Sequence, residues 1–96
     1  MKITIQEIPI TDLVGNDIRK AIIKDNGLSP DFIEKHLGNF IYTQGSNDVY
    51  ELGRQIYQGE SIEVFQDQIE ELKKLVQDAF NTFPPIVARA ITQYIK

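Results

Sequence analysis

Residues 61–80, SIEVFQDQIEELKKLVQDAF, carry the longest periodic pattern in the chain. Ile62, Phe65, Ile69, Leu72, Val76 and Ala79 recur at alternating steps of three and four. Such spacing places all six on one side of an α-helix and predicts a helix over 61–80, with Ser61 as its N-cap. A helix of that length spans roughly 30 Å, about the width of a small domain. It is the expected spine of the fold.

The shorter patterns predict what packs on that spine. Ile3 and Ile5 alternate with Thr4 and Gln6, which predicts a strand over 3–8 ended by Pro9. Thr11 or Asp12 can cap a helix reaching about Asp25, with Val14, Ile18, Ala21 and Ile22 as its stripe and Asn26-Gly27 as its stop. Ser29-Pro30-Asp31 opens a short helix that carries Phe32, Ile33 and Leu37, and Gly38 closes it. Phe40-Ile41-Tyr42-Thr43-Gln44 lies between glycine-containing turns and predicts a second strand over 40–44. A two-stranded ribbon is marginal alone in water, so helices must cover it or a second copy must add strands.

A third helix is expected over 48–58, with Val49, Leu52 and Ile56 in the core. Gly53 lies between that stripe and Tyr50/Tyr57, where a missing side chain lets another backbone approach. Phe83-Pro84-Pro85 breaks the chain before a last helix over 86–95, carrying Val87, Ala90, Ile91 and Tyr94. The expected fold is α+β and helix-dominated. About five helices surround the long helix (61–80), with a small two-stranded β element at 3–8 and 40–44.

Composition supports one globular domain over 1–96: the chain has 96 residues and 42% of them are hydrophobic. It has no cysteine, which excludes disulfides and thiolate metal sites. The first seven residues lack the apolar run of a signal peptide, and no apolar stretch approaches membrane-spanning length. A cytoplasmic location without membrane contact is the expectation.

Charge changes the picture more than composition does. The formal net charge is −4, but it is unevenly spread. Residues 46–80 hold three Lys/Arg and eight Asp/Glu, whereas residues 81–96 hold Arg89 and Lys96 and no acid. An acidic middle disfavours phosphate contact and argues against nucleic acid as partner. It suits a protein partner with a basic surface.

Specific chemistry is sparse. His36 is the single histidine, and no nucleophile lies in an elbow or triad context around it. One histidine without cysteine does not make a metal site. Gly45-Ser46-Asn47-Asp48 and Gly59-Glu60-Ser61 lack the lysine of a phosphate loop. No cofactor, metal or catalytic residue is expected.

The acidic side of the spine is the better candidate. On a helical wheel Glu63, Asp67, Glu70 and Glu71 share one sector, and Val64 and Leu75 fall beside them. Carboxylates flanking two apolar residues could meet a partner with basic and apolar groups. The candidate partner surface is therefore Glu63, Val64, Asp67, Glu70, Glu71 and Leu75. The expected function is that of a small non-catalytic protein-binding module, an inhibitor, immunity protein or regulator. A homodimer stays open.

The alternative comes from a resemblance. Residues 15–21, GNDIRKA, followed by 27–38, GLSPDFIEKHLG, resemble the first two helices of Cro/repressor-type helix-turn-helix domains. The resemblance implies a DNA-binding regulator whose next helix enters the major groove.

Overall fold

In the computed structural model, which describes residues 1–95, the chain forms five helices and a small antiparallel sheet. The helix-dominated α+β class expected from the sequence is the one observed. Its second strand, however, comes from elsewhere in the chain.

Strand β1 (Lys2–Ile3) pairs with β2 (Ile62–Glu63), with Lys2 opposite Glu63 and Ile3 opposite Ile62. The Val64 amide donates to the Met1 carbonyl at 2.7 Å, and the Met1 amine donates to the Val64 carbonyl at 3.0 Å. The strand expected over 3–8 is cut short because its apolar residues stop alternating. Ile5 is followed by Ile8, three positions on, and a 3₁₀ turn over Ile5–Glu7 puts both into the core. The Arg19 guanidinium donates to the Ile5 and Ile8 carbonyls at 3.0 and 2.6 Å, fixing this segment to the first helix.

That helix, α1 (Arg19–Asp25), begins later than the sequence suggests. Residues 11–17 instead form a tight turn, and Val14 is exposed rather than part of a stripe. Helix α2 (Phe32–Gln44) runs through Gly38 and absorbs the segment expected as a strand. The correction at 40–44 has a clear cause. Ile33, Leu37 and Ile41 are all buried at four-residue steps, and the helical period outweighs the β-branched composition. Helix α3 (Tyr50–Tyr57) buries Leu52 and Ile56, with Val49 buried just before it, as expected.

The expected spine is also shorter. Helix α4 (Ile69–Ala79) starts eight residues after Ser61, preceded by β2 and a 3₁₀ turn over Gln66–Gln68. Residues 62–65 satisfy both periods, since Ile62, Phe65 and Ile69 fit a helix while Ile62 and Val64 fit a strand. Pairing with β1 decides it. Ile62 and Val64 turn inward, and Phe65 is left 62% exposed. Helix α5 (Pro85–Tyr94) follows the Pro84-Pro85 break and buries Val87 and Ile91. All five helices and both strands feed one continuous apolar core.

Helices α2 and α3 make the closest approach in the molecule. A Cβ on Gly38 would lie 2.5 Å from the Tyr57 amide nitrogen, and one on Gly53 would lie 2.5 Å from that of Tyr42. The backbones touch because neither residue has a side chain. Gly53→Ala should therefore destabilise the fold by about 1–3 kcal/mol or more. That loss outweighs the gain of up to about 1 kcal/mol that alanine brings to a helix interior. Urea denaturation of the parent and the variant measures the difference. A variant as stable as the parent would mean that the helices can separate at no cost.

Candidate partner-binding surface

The six residues singled out by the helical wheel divide into three kinds. Glu63, Asp67 and Glu70 are exposed. Val64 and Leu75 are core residues, only 1% and 7% exposed, and are closed to any partner in this fold. Val64 is turned inward by strand alternation, and Leu75 lies beside Val76 on the buried side of α4.

Glu71 has a task inside the molecule. Its Oε2 accepts the Ser46 amide at 2.9 Å and its Oε1 accepts the Ser46 hydroxyl at 2.7 Å. Nearby, the Gln68 side chain accepts the Phe65 amide at 2.9 Å and donates to the Asp48 carbonyl at 2.8 Å. The start of α4 thus clasps the short loop between α2 and α3. The hydrogen bonds from Ser46 hold the Glu71 carboxyl below its ordinary value.

Around the exposed acids the charges are partly met. Glu63 is 2.9 Å from the N-terminal amine and stands across the sheet from Lys2. Asp67 and Glu70 have no ion-pair partner among the described residues. Between Glu63 and Asp67 stands Phe65, which helical periodicity assigns to the core. The signal that locates it is the strict alternation of Ile62, Glu63, Val64 and Phe65. Its backbone is held on both sides. The Phe65 amide is bound by Gln68, and its carbonyl accepts the Gln68 amide at 2.9 Å. The surface is an exposed aromatic ring on a hydrogen-bonded backbone, with acids on either side.

The other candidate chemistry has structural uses. His36 places Nε2 2.7 Å from the Ala79 carbonyl and stacks on Phe32, with ring centroids 5.1 Å apart. Phe80 and Phe83 lie against the same imidazole. A carbonyl only accepts, so Nε2 donates, and the ring joins α2 to the end of α4. Among the described residues no group of three or more His, Cys, Asp or Glu could hold a metal ion. No helix among them is long and apolar enough to cross a membrane. Where the helix-turn-helix resemblance would place a recognition helix, α3 turns Glu51 and Arg54 outward, and the two pair with each other.

Among the concave regions elsewhere, two bear on the fold. One, of about 170 Å³, sits over the Gly38–Gly53 crossing between Tyr42 and Tyr57. The other, of about 740 Å³, lies between residues 9–13 and α5. Set against protein-family models, curated proteins and solved structures, the chain matches none.

The Glu71 clasp makes stability depend on pH. Its folded pKa is depressed, so its contribution is fully present above the ordinary glutamate range. That contribution is lost as pH falls through the lower folded value. Glu71→Ala should lower the melting temperature at neutral pH, by no more than about 1 kcal/mol of stability because water screens the group. The gap between parent and variant should close in acid. Thermal melts across a pH series check this, and a gap independent of pH would assign the clasp to packing alone.

Proposed function

We propose that this chain is a non-catalytic protein-binding module of the cytoplasm, an inhibitor, immunity protein or regulator. Its partner would be a protein whose basic surface surrounds an apolar recess. The observation that carries this is Phe65, held 62% exposed between Glu63 and Asp67.

Three physical features support the assignment. A residue whose backbone is already held by hydrogen bonds has little main-chain freedom left to lose on docking. Large aromatic residues at the centre of an interface carry a disproportionate share of binding energy. Unpaired carboxylates such as Asp67 and Glu70 raise the rate of encounter with a basic partner. Val64 and Leu75 drop out of the surface, and Glu71 serves it only by holding the loop below.

Capture from the native host supplies a partner, and binding kinetics then test the surface. Phe65→Ala should leave the melting curve close to the parent's, since the ring is outside the core. It should weaken binding by about 2 kcal/mol, mainly through faster dissociation. Asp67→Lys with Glu70→Lys should slow association at low salt and do so less at high salt. A partner that binds parent and both variants with the same rate constants would remove this surface from the function.

A further inference from the structure

Residues 10–18 fold back on themselves. Thr11 bridges Asp17, the Asp12 amide donates to the Asn16 carbonyl at 3.0 Å, and the Ile18 amide donates to the Ile10 carbonyl at 2.9 Å. The Asp12 Oδ1 accepts the amides of Val14 and Asn16 at 3.0 and 2.9 Å. Gly15, at a φ of 88°, completes the reversal in the left-handed region. The turn is therefore fixed, and its tip carries Leu13 and Val14 at 108% and 83% exposure. Turn tips favour Gly, Pro, Asn, Asp and Ser for conformational reasons. Two branched apolar residues standing in water at this tip add nothing to the core.

Beside the tip lies the recess of about 740 Å³, walled by Asp12 and Leu13 of the turn itself and by Ile86, Arg89, Ala90 and Tyr94 of α5. Protrusion and recess thus share one face of the molecule. We propose that this face makes a two-fold dimer, in which the Leu13–Val14 tip of each copy fills the recess of the other. A two-fold contact requires a self-complementary patch, where one residue meets a second and that second meets the first. A knob adjoining a hole meets the requirement.

Charge agrees with the shape. Residues 11–17 carry Asp12 and Asp17 and no base, whereas residues 81–95 carry Arg89 and no acid. Arg89 has no carboxylate partner among the described residues. Docking the turn of a second copy on α5 brings carboxylates toward that guanidinium, twice per dimer. This face uses none of the residues around Phe65, so either surface can act without the other.

Sedimentation of the full chain over a range of concentrations tests the dimer. The parent should reach twice its 11.0 kDa mass and dissociate on dilution. Leu13→Asp should raise the dissociation constant about tenfold or more, because it removes the apolar side chain that fills the recess and sets a further carboxylate beside Asp12 in the recess wall. Its circular dichroism should match the parent's. The chain has no cysteine, so a second measurement is clean. A Leu13→Cys chain mixed with an Ala90→Cys chain should form the mixed disulfide faster than the Ala90→Cys chain links to itself. A parent that stays monomeric to millimolar concentration overturns the proposal. So does a dimer whose dissociation constant is unchanged by Leu13→Asp.

Discussion

The backbone contact at Gly38 and Gly53 is the constraint on which the rest of the structure depends. It lets α2 and α3 lie against each other at a separation that any side chain would forbid. With the two helices so close, the connecting loop needs only residues 45–49. That loop is then near enough to α4 for Glu71 and Gln68 to bind it through Ser46 and Asp48. Gln68 also fixes the Phe65 amide. A steric feature of two glycines is thus coupled, through a loop and two side chains, to the backbone that carries an exposed ring. Widening the helix pair would loosen the surface as well as the core.

The third and last helices were legible because their patterns are local. Val49, Leu52 and Ile56 repeat at helical steps, and a Pro-Pro break precedes Val87 and Ile91, so both segments form close to where the sequence places them. Gly53 was legible as a point of close approach, but its counterpart Gly38 reads as a helix stop. A glycine that ends a helix and one that admits a neighbouring helix look alike until the partner is known. The sheet was less legible still. Ile3 pairs with Ile62, 59 positions away in a chain of 96, and nothing in either segment names the other. Residues 62–65 fit two periods at once, and only the long-range pairing chooses between them.

The candidate surface failed and survived for the same reason. Treating 61–80 as one helix sends Phe65 inward and brings Val64 out, and the strand reverses both. Asp67 and Glu70 stay exposed in either geometry, since no apolar neighbour demands their place in the core. The protruding Leu13–Val14 turn was hidden for a different reason. Asp12 is as good a helix cap as it is a turn former, and the structure uses it for the second purpose.

Counting charges along the sequence overstates the field that a partner would meet. Of the eight acids in residues 46–80, Glu51 is paired with Arg54, Glu63 with the N-terminal amine, and Glu71 with Ser46. The acids next in sequence to Phe65 with no ion-pair partner among the described residues are Asp67 and then Glu60 and Glu70, with Asp67 and Glu70 on the α4 side. Long-range attraction falls off within about 8 Å at physiological salt, so near charges matter more than the total. Steering and holding then separate physically. The two carboxylates act before contact, on the rate of encounter, while the ring acts after water has left, on the lifetime of the complex. A surface built this way gains speed from charges that stay hydrated and gains persistence from one side chain that does not. That division asks nothing more of the acidic segment than two free carboxylates beside an exposed aromatic residue.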